Sequence, residues 1–109
     1  MLEVLLGSTN RERVLLYLLF RKEGYARKIS RYYDTDLSQI QKQLERLEIG
    51  GILYSRSVGK TVMYGLNPAY PFKAELEALL HKVYDFLPKE EQASLTLDRK
   101  RPRRKGKPF

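Results

Sequence analysis

The sequence predicts a mainly α-helical domain with one small β-hairpin, an α+β class in the order helix, helix, helix, hairpin, helix. Three observations predict it. Apolar residues recur at helical spacing in segments separated by glycine, aspartate or proline breaks. Two short alternating runs flank Val58-Gly59-Lys60, the pattern of a hairpin. The 109 residues, 42% of them hydrophobic, suffice for one domain with a modest core rather than a disordered chain.

The first periodic segment runs from about Asn10 to Lys22, with Val14, Leu15, Leu18 and Leu19 inward. Glu12 lies three residues after Thr9, which favours Thr9 as its cap. Leu2, Val4, Leu5 and Leu6 precede it as a short lead-in helix or an arm packed on a partner, and Gly24 is expected to end it. A short second helix covers Arg27 to Tyr33, and Asp34-Thr35-Asp36 form a turn. Ser38 starts the third helix, because SQIQ fits a capping box between Ser38 and Gln41. Ile40, Leu44 and Leu47 share one stripe, which leaves Gln39, Gln41, Lys42, Gln43, Glu45 and Arg46 for the other faces.

Gly50-Gly51 stops the third helix. Strands follow around Ile52 to Arg56 and Thr61 to Tyr64, and a short strand near Tyr25 would complete a three-stranded sheet. A last helix spans roughly Phe72 to Leu87, with Leu76, Leu79, Leu80, Val83 and Phe86 making a broad apolar face until Pro88 breaks it. QASLTLD has no clear period and reads as a brief strand or linker. The domain is therefore assigned to residues 1–88, with terminal helices available for dimerisation. Residues 89–109 form a basic extension expected to be mobile. Three helices with a two-stranded flap are the winged helix-turn-helix arrangement.

The net charge of +8 is unevenly placed. Residues 98–109 carry seven basic groups, Arg99, Lys100, Arg101, Arg103, Arg104, Lys105 and Lys107, against Asp98. The remaining 97 residues are nearly balanced, with 14 basic and 12 acidic groups. Any nucleic-acid face on the body must therefore come from local arrangement, whereas the tail is a separate electrostatic feature. The major groove of duplex DNA admits one helix, which presents its N-terminal half to base edges. Ser38, Gln39, Gln41 and Lys42 fit that geometry, and Arg46 lies one turn beyond Lys42. Arg56 and Lys60 flank the hairpin loop and can neutralise phosphate. Arg27, Lys28 and Arg31 lie on the second helix, which crosses the DNA backbone in helix-turn-helix proteins. Tyr25 is equally suited to a phosphate contact or to packing.

Catalytic and metal chemistries find little support. There is no phosphate-binding glycine loop, no cysteine and a single histidine, His81, so no thiolate or multi-histidine site is expected, nor any cofactor. Asp34 and Asp36 suit a turn, while Glu75 and Glu77 do not face each other on a helix. No apolar run approaches the roughly 20 residues of a membrane span, and the N-terminus lacks a signal-peptide pattern, so a cytoplasmic, nucleoid-associated location is expected.

The segments LLGSTNRERVLLYLL, YARKISRYY, LSQIQKQLERLEIGGIL and SRSVGKTVMYGLNPAYPF together resemble the small prokaryotic winged helix regulators of the arsenic-repressor-like and multiple-antibiotic-resistance-like superfamily. The similarity covers roughly residues 5–87. It implies a homodimer that binds double-stranded operator DNA and is not an enzyme. Ser38, Gln39, Gln41 and Lys42 would read the groove, and Arg56 and Lys60 would serve in the wing. By the same resemblance the first and last helices build the dimer interface, here Val4, Leu5, Leu76, Leu79, Leu80 and Val83. Metal sensing through cysteine or histidine clusters does not carry over, and no effector is specified. Two other readings stand beside it: an architectural or RNA-associated protein dominated by its basic tail, and a winged helix module that binds other proteins.

Overall fold

A computed structural model of the chain describes residues 1–97. The seven basic residues expected to act from the tail, Arg99 to Lys107, lie outside the described residues. The elements run α1 (Glu3–Leu6), α2 (Thr9–Arg21), β1 (Glu23–Gly24), α3 (Ala26–Tyr33), α4 (Leu37–Ile49), β2 (Leu53–Val58), β3 (Thr61–Leu66), α5 (Lys73–Asp85) and α6 (Lys89–Leu97). The predicted order is thus present, preceded by the short lead-in helix and followed by one additional helix, α6, and the chain adopts the winged helix-turn-helix fold.

Helix α2 is the axis of the domain. Every residue from Val14 to Phe20 is buried, because α1, α3, α4, α5, α6, β1 and β3 all pack around it. A helix apolar on all sides is stable only when enclosed in this way. Its cap is Ser8 rather than Thr9: the Ser8 hydroxyl accepts from the amides of Asn10 and Arg11 at 3.1 and 3.2 Å. Glu12 is consequently released from capping. It turns back, buried, to accept from the Leu2 amide at 2.8 Å and so ties α1 to α2. Gly24 does not end the helix either. Lys22 does, at φ 74°, while Gly24 pairs in β1 and lies so close to the Tyr17 ring that a Cβ there would sit 2.7 Å from it.

The three strands form an antiparallel sheet in the order β1-β3-β2. Glu23 and Gly24 supply the short third strand expected near Tyr25. Val58 pairs with Thr61, leaving a two-residue loop of Gly59 and Lys60. Gly59 has φ +62° and Lys60 stays out of the left-handed region, which is the glycine-first pattern of a II′ hairpin turn.

Three expectations are corrected at the C-terminal side. Residues 89–97, placed by the sequence in the extension, form α6, and Leu95 is buried in the core at 1% exposure. Leu80 and Val83, expected in a dimer interface, are also core residues of their own chain, at 0% and 3% exposure. The stripe of α5 that carries them is covered by α2, including Phe20, which stacks on Tyr84. Leu76 and Leu79 are half-buried, whereas Val4 and Leu5 are 99% and 69% exposed. Phe86, expected inward, is exposed.

Candidate nucleic-acid interface

Helices α3 and α4 pack against each other as the helix-turn-helix unit. Asp34 closes α3 in the left-handed region (φ 51°, ψ 53°), which aspartate tolerates better than most side chains. The cap of α4 is Asp36, not Ser38. The Asp36 carboxylate accepts from the Ser38 amide at 3.2 Å and from the Ser38 hydroxyl at 3.0 Å. The capping box is therefore absent, since a carboxylate just ahead of the helix takes over the capping role. Two consequences follow for recognition. The Ser38 amide of α4 is already occupied, and the Ser38 hydroxyl, having donated to Asp36, meets a further partner only as an acceptor.

The inner face of α4 consists of Ile40, Gln43, Leu44 and Leu47. Gln43 was expected outside. It is buried because its Oε1 accepts from Arg11 Nε at 2.9 Å, and Arg11 also donates to the Leu6 carbonyl at 2.9 Å. This polar contact fixes α4 to α2 within an otherwise apolar face. Ser38, Gln39, Gln41, Lys42 and Arg46 lie outside this buried set, at the helix surface, as do Arg27, Lys28 and Arg31 on α3.

A groove of about 480 Å³ lies between α3, α4 and the hairpin. Arg27, Gln41 and Lys60, one from each element, line it together with Tyr25, Glu45 and Tyr64. Three residues selected separately from the sequence thus share one surface. Glu45 also lines this groove, although the sequence reading gave it no role there. A carboxylate beside an amide on a groove-facing helix can accept from the amino group of cytosine. Its i+4 spacing from Gln41 was the available signal.

Arg56 does not join this surface. Side chains alternate along β2, and the Ser55 hydroxyl donates to Glu48 on α4. Arg56 therefore faces away from α4. Its Nε and Nη2 donate to the two oxygens of Glu23 at 2.8 and 2.6 Å, a bidentate pair across the sheet, while the Tyr54 hydroxyl donates to the same carboxylate. The guanidinium of Arg56, expected at phosphate, is thus paired with Glu23 on the other face of the hairpin.

The Arg56 guanidinium, followed by the Tyr54 hydroxyl, holds Glu23 at about 2, against an ordinary value of 4.5. The ionised carboxylate is the form favoured by folding. Its contribution is present above about pH 4.5 and is lost as pH falls towards 2. Wild type should therefore melt at a higher temperature than Arg56→Gln at pH 6, and the gap should close between pH 4.5 and 2. Parallel melting curves across that range would disprove the assignment.

Among the described residues, no group of three or more His, Cys, Asp or Glu side chains could hold a metal ion. No described helix is long and apolar enough to cross a membrane.

No protein-family model matches the sequence, and no curated protein matches it. Solved structures do. Reduced HlyU from Vibrio cholerae is 26% identical with a TM-score of 0.59, over 76% of this chain and 84% of that one. The winged helix-turn-helix domain of Mb0332 from Mycobacterium bovis, described as homodimeric, DNA-binding and a possible ArsR-family transcriptional regulator, is 26% identical with a TM-score of 0.57, over 78% and 76%. ZitR from Lactococcus lactis, solved in complex with DNA, shares the fold at 17% identity and a TM-score of 0.53, over 85% and 70%. With its helix-turn-helix and three-stranded sheet, the chain has the winged helix-turn-helix fold and is similar to these small regulators.

Proposed function

We propose that the protein is a homodimeric, sequence-specific double-stranded DNA-binding transcriptional regulator, acting by binding rather than catalysis, in the cytoplasm at the nucleoid. The groove that unites Arg27, Gln41 and Lys60 carries this reading. It sets an uncharged hydrogen-bonding side chain beside two cations, the combination needed to read a base edge while neutralising the flanking phosphates. Gln39, Gln41, Lys42 and Glu45 face bases; Arg27, Lys28, Arg31, Arg46 and Lys60 serve the backbone. The likeness to a homodimeric DNA-binding domain supports both parts of the proposal.

The dimer surface is drawn from Val4 and Leu5, with half-buried Leu76 and Leu79 and exposed Phe86. In a symmetric dimer the two α4 helices meet half-sites about one DNA turn, roughly 34–36 Å, apart or a multiple of it. Sedimentation at binding concentrations should give a dimer, and a monomer would defeat the assembly.

The decisive measurement is binding to genomic fragments at physiological salt with excess nonspecific competitor. A subset of fragments should be retained, and equal retention of all would sink the sequence-specific reading. Removing residues 98–109, with their seven basic groups, should lower affinity for every sequence alike. The salt slope should shrink by about 0.9 for each phosphate that is no longer neutralised. If specificity vanished with the tail while nonspecific binding remained, α4 would not be the reader.

A further inference from the structure

Glu23, Gly65 and Tyr54 stand in one row across the sheet, because Gly65 of the middle strand pairs with Glu23 on one side and Tyr54 on the other. A Cβ on Gly65 would lie 2.5 Å from the Tyr54 hydroxyl oxygen and 2.6 Å from the ring. The missing side chain is what lets the tyrosine lie flat over β3 and reach a carboxylate two strands away. Arg56, further along β2 towards the tip, reaches back to both oxygens of the same carboxylate.

This cluster sits at a structural boundary. β1 pairs only with Gly65 and Tyr64, so beyond those two rows the sheet narrows to the two-stranded ribbon that ends at Gly59 and Lys60. Two-stranded ribbons twist more than wider sheets and are weakly stable alone. The position of Lys60 over the groove therefore depends on how the root of the ribbon is held. On one face Ser55 bonds Glu48 of α4; on the other, Tyr54 and Arg56 bond Glu23.

We infer that Glu23, Tyr54 and Arg56 form a clamp that sets the angle of the wing, and that Arg56 is a positioning residue for Lys60 rather than a phosphate ligand. Gly65 is part of the clamp because it admits the tyrosine. The clamp itself is a property of the fold; only its consequence for DNA rests on the function proposed above.

The test has one arm without DNA and one with it. In the free protein, Glu23→Gln and Arg56→Gln should each speed amide hydrogen exchange in residues 57–62 by about two- to fivefold, the range of an exposed ion pair, with little change in α2. Tyr54→Phe, which keeps the ring, should act in the same direction. On a DNA fragment that wild type selects, Glu23→Gln and Arg56→Gln should weaken binding while leaving the salt slope unchanged. Lys60→Ala should reduce that slope by about 0.9. The exchanged pair Glu23→Arg with Arg56→Glu should recover both exchange protection and affinity. Unchanged exchange in the single variants would overturn the clamp. Tighter, more salt-dependent binding by Glu23→Gln would show instead that Arg56 is a phosphate ligand held back by Glu23. If wild type selects no DNA, the function fails, and the exchange arm still decides the clamp.

Discussion

Replacing Leu95 by alanine should destabilise the protein by about 2–5 kcal/mol, the cost of emptying a fully buried leucine site. In a domain of this size the melting midpoint should fall by at least about 8 °C. Leu95 is 1% exposed, although it comes from a segment that the sequence reads as a brief strand or linker. It is held there by more than its own packing. Arg21 at the end of α2 donates to the carbonyls of Leu95 and Ser94, both at 2.8 Å, and the Gln92 amide bonds the Tyr84 and Leu87 carbonyls of the preceding turn. A loss near zero by chemical denaturation would mean that α6 lies on the domain without being part of it. Truncation after Pro88 should be more damaging still, since it also removes these carbonyl partners of Arg21.

The second large effect concerns recognition. Gln41→Ala should cost about 1–3 kcal/mol of discrimination at one base pair, while binding to unrelated DNA stays nearly constant. Arg46→Ala should do the reverse, weakening every sequence together and flattening the salt dependence by about 0.9. Gln39→Ala should act like Gln41→Ala at a neighbouring position. Competition binding against single-base variants of a selected fragment measures both quantities. If Gln41→Ala weakened all variants equally, the side chain would be a backbone contact and not a reader.

The legible parts of the fold were those written in local periodicity. The buried sets Val14, Leu15, Leu18 and Leu19 in α2 and Ile40, Leu44 and Leu47 in α4 follow from spacing alone, as does the hairpin around Gly59. What escaped depends on groups distant in the chain. Arg56 read as a free cation because its partner, Glu23, lies 33 residues away on another strand. Gln43 read as surface because Arg11, 32 residues earlier, completes it. Leu80 and Val83 read as an interface because an apolar stripe looks the same whether its cover comes from its own chain or another. The caps failed for a different reason: Ser8 and Thr9, or Asp36 and Ser38, are near neighbours of similar capping strength, and a small offset in the preceding turn decides between them.

The division of α4 has a consequence for how such a protein changes over generations. Its buried residues are confined to Ile40, Gln43, Leu44 and Leu47, and Gln39, Gln41, Lys42 and Arg46 are exposed outside that set. Exchanges at positions 39, 41, 42 and 46 should typically alter stability by less than about 0.5 kcal/mol. A duplicated copy is thus free to drift towards a new target by altering those positions one at a time, each intermediate folding as well as the last. A randomised library at these four positions should yield folded members in most clones, which makes this helix a natural place to rewrite what the protein reads.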